Sequence, residues 1–198
     1  MMPFDPTLQA GPLRLTALRE RHLPDLIEMV DESLAELRPW MTWAHPAPTR
    51  ESQLKFIRNS ERGADEDRER NFVIFLPDRS AAGVVGFNNL GTPHRSCEIG
   101  FWIRSSLAGR GICSAAAARL LRFGFDEINL HRVFVRHAVA NVASRGVITK
   151  LGFHHEGTTR DDLWIGDRFV SHETYAMLET DFADRRSELL ALEAAVRV

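Results

Sequence analysis

Tyrosine and cysteine are scarce in this 198-residue chain: one Tyr and two Cys. Cys97 and Cys113 stand far apart, so they form neither a disulfide framework nor a metal-ligand cluster. His154-His155 is a pair at the wrong spacing for a metal site on one helix face, and no metal is expected. A reducing cytoplasm is the compartment that fits such cysteine usage. No apolar run reaches the roughly 18 residues that a bilayer demands, which excludes a spanning helix. The first residues, MMPFDPTLQAGPL, lack both the basic start and the apolar centre of a secretion signal. A formal charge of −2 gives no ground for affinity to nucleic acid or to an anionic membrane.

What is present is enough apolar residue, 44%, for a sizeable core. Neither repeats nor a linker divide the chain, which reads as one domain over 1–198, its core over about 10–180 and a helical extension over 181–198. Leu13 to Leu18 alternates as a strand does, and Arg19 to Leu37 carries helical spacing at Leu23, Leu26, Ile27, Val30 and Leu34. Pro39 interrupts that helix, and a loop bounded by Pro39, Pro46 and Pro48 holds Trp40, Met41 and Trp43. Those aromatics either plug the core or wall a substrate pocket. Thr49 is placed to cap a second helix. Asn71 to Leu76, Gly83 to Leu90 and Cys97 to Ile103 then read as three strands separated by turns. In the third, alternation sends Cys97, Ile99, Phe101 and Ile103 to one face and Glu98, Gly100 and Trp102 to the other. Gly100 in mid-strand marks a bulge or a close backbone approach. Glu98 beside it is either a solvated or paired carboxylate, or a group facing a reaction centre.

Next comes Ser105 to Ala118, SSLAGRGICSAAAA, where a strand breaks into Gly109-Arg-Gly111 and then an alanine-rich helix. Glycines one residue apart permit a tight turn and leave room for a ligand at the backbone N–H groups. The helix start adds unpaired donors and a positive dipole end, a combination that attracts phosphate. Either this is an ordinary strand-to-helix loop or it cradles the pyrophosphate of a cofactor. A P-loop needs a lysine that is missing here. A dinucleotide site needs an acid closing a second strand, whereas Asp126 and Glu127 end the helix itself. The helix puts Arg119, Arg122 and Asp126 on one polar face. His131 to His137 is a further strand, and Asn141 opens a short helix that stops at Gly152. Phe153 to Gly157, Asp161 to Ile165 and Arg168 to Leu178 are closing strands with a hairpin turn at Gly166-Asp167, and a last helix follows over Glu179 to Val198.

This order of parts resembles the GNAT superfamily of N-acetyltransferases. Leu37-Arg-Pro-Trp-Met-Thr-Trp43, Glu98-Ile-Gly-Phe-Trp102, Gly109-Arg-Gly-Ile112, Asn141-Val-Ala-Ser144 and Leu151-Gly-Phe153 are similar to the RimJ/RimL group, which acetylates the amino termini of ribosomal proteins. The resemblance covers roughly residues 10–180. It implies an α+β, mixed α/β fold with a mostly antiparallel seven-stranded sheet, splayed between its fourth and fifth strands. It further implies acetyl-CoA as donor, a primary amine as acceptor and direct attack in a ternary complex, and it allows a homodimer. Readings kept beside it are a small amine acceptor (drug, polyamine or amino acid) and a non-catalytic acyl-CoA sensor.

Carried onto this chain, the resemblance implies a pyrophosphate loop over Leu107 to Cys113, with Gly109, Arg110, Gly111, Ile112 and Cys113 at the cofactor. The usual Gln or Arg three residues ahead of the first glycine is Ser106 here. Asn141 matches the residue that bonds the pantetheine arm, though Asn also caps helices well. Backbone N–H groups at a strand bulge around Phe101, Trp102 and Ile103 are the expected oxyanion donors. Glu98 is the favoured base, and Asp162 is its rival or a substrate-binding group. The tyrosine that many members use as acid aligns near Ile148, which cannot donate, so Ser144 is the stand-in. Trp40 and Trp43 are the expected acceptor-side aromatics.

Overall fold

The computed structural model describes residues 6–197. Residues 1–5, part of the segment read for a secretion signal, and Val198 of the expected extension lie outside the described residues. Eight strands form one sheet: β1 (Thr7–Ala10), β2 (Leu13–Ala17), β3 (Arg70–Phe75), β4 (Ala81–Asn88), β5 (Ser96–Ile103), β6 (Arg132–Ala138), β7 (His154–Ile165) and β8 (Arg168–Leu178). Their order is β1-β2-β3-β4-β5-β6-β8-β7, and among the described residues only β5 and β6 run parallel. The count exceeds the expected seven because of β1. Its four residues bury Leu8 and Ala10 alternately, a period too short to stand out before Gly11-Pro12. The two closing strands expected over 153–165 are one strand, β7, interrupted by register shifts against β8.

Helices α1 (Leu23–Leu37) and α2 (Arg50–Asp65) cover one face. Pro24 occupies the first turn of α1, where its missing N–H costs nothing, and Leu23, Leu26, Met29, Val30 and Leu37 are buried. Thr49 caps α2 by accepting from the Ser52 N–H. Under them Leu18, Leu26, Met29, Ile57, Val73 and Val84 form the smaller core.

On the other face, α3 (Ile112–Arg122) lies close on the sheet because Ala115 to Ala118 are all fully buried and carry only a methyl group. A wider, π-type turn over Phe123–Glu127 ends it. α4 (Val142–Leu151) stops at Gly152, whose φ of +84° is cheap only for glycine. α5 (Glu179–Ala194) completes the layer. It docks through ion pairs on the face of α3 that reads as polar in the sequence. Arg122 holds Glu193 with two bonds of 2.9 and 3.0 Å, and Arg186 holds Asp126 with bonds of 2.9 and 2.7 Å. The Glu193 side chain is only 7% exposed, so removing its partner strands a buried charge. Arg122→Ala is expected to cost about 3 kcal/mol in urea unfolding. A loss well under about 1 kcal/mol would mean that water solvates Glu193. Among the described residues no helix is long and apolar enough to cross a membrane.

Candidate active site

The sheet opens between β5 and β6. They pair only at Ser96, Cys97 and Glu98, opposite Arg132, Val133 and Phe134, and then diverge. This is the splay expected between the fourth and fifth strands, shifted by one in number because of β1. On its other side β5 stays in unbroken register with β4 from Glu98 to Ile103, so the expected bulge is absent. The donors do not need it. Arg104 N donates to Ala82 O at 2.8 Å, toward β4, and backbone groups alternate sides along a strand. The N–H groups of Phe101 and Ile103 therefore point the other way, into the split. Trp102 N–H points back toward β4, so Trp102 can contribute its ring but not this donor.

A cavity of about 530 Å³ fills the split. Phe101, Trp102, Ile103 and Leu107 wall one side, and Asn141, Val142, Ser144 and Gly146 of the α4 start wall the other. Gly109, Gly111, Ile112 and Cys113 close the end. Gly109 and Gly111 have φ of +79° and +81°, the left-handed region that glycine enters freely. A Cβ on Gly109 would meet nothing within 4 Å, and one on Gly111 only Ala195 O at 3.8 Å. Space thus lies over the turn, at the first unpaired donors of α3. An anionic, elongated ligand fits here: donors at the closed end, apolar walls along the length and two strand N–H groups on the β5 wall.

Arg110 is the one residue of this loop outside the cavity wall. Its guanidinium turns back to Ser106 O at 3.5 Å. Ser106 itself is engaged by α1, donating to Glu32 at 2.5 Å, and that hydroxyl together with Arg104 holds the Glu32 carboxyl below its ordinary range. The loop is anchored where the resemblance would have put a ligand-binding side chain. Burial pushes the Cys113 thiol up to about 12, so it stays protonated and serves as a small wall residue.

Asn141 accepts from Ser144 N at 3.0 Å and so caps α4, while its amide remains at the cavity wall. Ser144 sits in the first turn of α4 on the cavity, Ile148 is fully buried, and Tyr175 donates to Glu173 at 3.3 Å outside the cavity lining.

Glu98 is the last β5 residue paired to β6, which places it at the vertex of the split. On the same face, Gly100 leaves open space: its Cβ would meet only Asn88 Nδ2 at 3.6 Å. Sequence reading missed what joins the two candidate carboxylates. Arg136 on β6 donates through Nε to Glu98 at 3.1 Å and reaches Asp162 through Nη1 at 3.8 Å. His172 on β8 adds a contact of 2.7 Å between its Nδ1 and Asp162 Oδ1. Glu98, Asp162, Arg136 and His172 make one polar cluster, with the Asp162 side chain 14% and the His172 side chain 7% exposed. Neither carboxylate lines the large cavity itself.

The aromatic loop divides its residues. Trp40 joins Met41 and Leu37 in the wall of the large cavity. Trp43 instead packs on Trp102, ring centres 6.1 Å apart, over a second, apolar cavity of about 170 Å³ with Leu26, Val30, Gln53 and Phe56. Trp102 borders both cavities, so one indole separates them. The β7–β8 hairpin leans on the same loop, since a Cβ at Gly166 would come within 3.0 Å of the His45 ring.

Residues 12–154 match the acetyltransferase (GNAT) domain family, and the chain belongs to that family. The chain is similar to the putative ribosomal N-acetyltransferase YdaF of Bacillus subtilis, 28% identical over 170 residues that span 86% of this chain and 93% of that protein. It is also similar to the ribosomal-protein-serine acetyltransferase of Escherichia coli K12, 25% identical over 84% of this chain and 92% of that one. Among solved structures, Mycobacterium smegmatis RimJ in complex with CoA-disulfide superposes with a TM-score of 0.85 at 25% identity, covering 99% of this chain and 97% of that chain.

Proposed function

We propose that this protein transfers the acetyl group of acetyl-CoA to a primary amine, the amino terminus of a ribosomal or other protein, by direct attack in a ternary complex. Residues 1–198 act as one domain, in the cytoplasm. The observation that carries this reading is the left-handed Gly109–Gly111 turn opening onto a cavity that runs past the split edge of β5. The relatives named for ribosomal proteins support the acceptor class.

Acetyl-CoA would supply an activated thioester. The Gly109, Gly111, Ile112 and Cys113 N–H groups hold its diphosphate, and the Asn141 amide and the apolar walls hold the arm. Phe101 and Ile103 N–H groups lie about 7 Å apart along the strand, so one of them stabilises negative charge at the acyl oxygen, a preorganised donor that does not reorient during the reaction, and the other bonds the arm. The acceptor amine must be neutral, and an amino terminus has a pKa of about 7.7–8.0, so only modest base assistance is needed. Glu98 at the vertex receives that proton, directly or through water. Arg136 fixes the Glu98 carboxylate in place, and Asp162 is the rival base or an acceptor-binding group on the same guanidinium. Ser144 faces the cavity as the donor for the departing thiolate; a thiol pKa of about 8.5 makes weak donation sufficient.

The acceptor enters over Trp40 and Trp43, under the β7–β8 hairpin. Turnover is expected with peptides that begin with serine or alanine, and much weaker turnover with spermidine. Trp43→Ala should raise the peptide KM about tenfold, the loss of one well-packed aromatic contact, with the acetyl-CoA KM within twofold. Faster turnover of spermidine than of any peptide would move the acceptor to small amines. CoA binding with no turnover on any amine would make the protein a sensor.

A further inference from the structure

α5 and the residues after it lie beyond the family match, which ends at residue 154, and none of them lines the large cavity. Those residues return to the cofactor turn. α5 is fixed along α3 by the Arg122–Glu193 and Arg186–Asp126 pairs. Its far end is fixed from the other side, because the Glu193 carbonyl fills the place where a Cβ on Gly11 would stand. Beyond it, Val196 packs on the main core, Ala195 O lies 3.8 Å from the Cβ position of Gly111, and Arg197 N–H donates to Arg110 O at 3.1 Å.

That last bond has a geometric consequence. The Arg110 carbonyl and the Gly111 N–H belong to one planar peptide unit and point in opposite directions. This unit rotates about ψ of Arg110 and φ of Gly111, and Gly111 is a glycine in the left-handed region that it enters and leaves freely. Holding the carbonyl outward on Arg197 aims the Gly111 N–H away from the tail, toward the cavity.

We infer that residues 195–197 form a strap that presets the Gly111 N–H as a diphosphate donor, with Arg197 a positioning residue acting through its main chain. The inference rests on the proposed use of the turn as a diphosphate site. Its signature is that the backbone matters and the side chain does not. Arg197→Pro deletes the N–H, whereas Arg197→Ala keeps it.

Calorimetry with CoA should show binding weakened about fivefold in Arg197→Pro, the worth of one ordinary hydrogen bond, and unchanged within twofold in Arg197→Ala. The acetyl-CoA KM should follow while kcat stays near the wild-type value, with thermal midpoints alike in all three proteins. Hydrogen exchange over residues 108–113 in the unliganded protein should speed up in Arg197→Pro alone. Equal behaviour of the two variants, whether both intact or both impaired, would overturn the strap. Wild-type protein that does not bind CoA would instead remove the proposed function, and the exchange comparison would still decide whether the strap orders the turn.

Discussion

Gly111→Asp is expected to abolish CoA binding, at least a hundredfold loss by calorimetry, without unfolding the protein. The new side chain has room, since its Cβ would come no nearer than 3.8 Å to Ala195 O. Aspartate tolerates the left-handed region better than most residues, at a cost of about 1 kcal/mol. Gly111 is also the N-cap of α3, where a carboxylate is a favourable residue. The substitution therefore satisfies the helix with its own anion, using the donors a diphosphate would take, and repels a second negative group. Each charged hydrogen bond lost is worth about 1.5–3 kcal/mol, so two suffice for the stated loss. Gly111→Ala introduces the strain without the charge and should weaken binding only about tenfold. A folded Gly111→Asp protein that binds CoA like wild type would place the diphosphate elsewhere.

Glu98→Gln is expected to lower kcat about thirtyfold at pH 7 and only a few-fold at pH 9, with CoA affinity unchanged. The sign follows from the acceptor. Below its pKa of about 7.7–8.0 an amino terminus is largely protonated and needs a base; above it the amine is already free. Glutamine keeps a hydrogen-bond acceptor for Arg136 but cannot take a proton. Asp162→Asn separates the rival: a larger loss there, with an unaltered pH–rate profile in Glu98→Gln, would transfer the base to Asp162. Both are read against the same cluster, because Arg136 touches both carboxylates.

The parts of the site that depend on local backbone chemistry are visible in sequence. Gly109-Arg-Gly111 needs left-handed residues, Asn141 caps α4, and Gly152 stops it; each is a short-range rule with a residue type attached. The polar cluster is a matter of cross-strand register, and there local rules run out. Counting outward from the Gly166-Asp167 turn, the regular pairing Leu163 with Val170 would put Asp162 opposite Ser171. The register shift between Thr159 and Leu163, with Asp161 at a φ of +49°, instead brings Asp162 to His172. No residue type announces that shift. Arg136 is hidden for a similar reason: its partners lie 38 and 26 residues away on either side of the split (Glu98 and Asp162). The polar face of α3 misleads in another way, because Arg122 and Asp126 look solvated until α5 supplies Glu193 and Arg186. The missing β5 bulge shows that alternation alone can aim two N–H groups into the opening.

The most direct measurement is a crystal structure of the protein grown with CoA. Diphosphate oxygens are expected within hydrogen-bonding distance of the Gly109, Gly111 and Ile112 N–H groups, and the thiol beside Phe101 and Ile103 in the split between β5 and β6. CoA bound with its diphosphate away from that turn, or a turn closed over by side chains in the presence of saturating CoA, would contradict that placement.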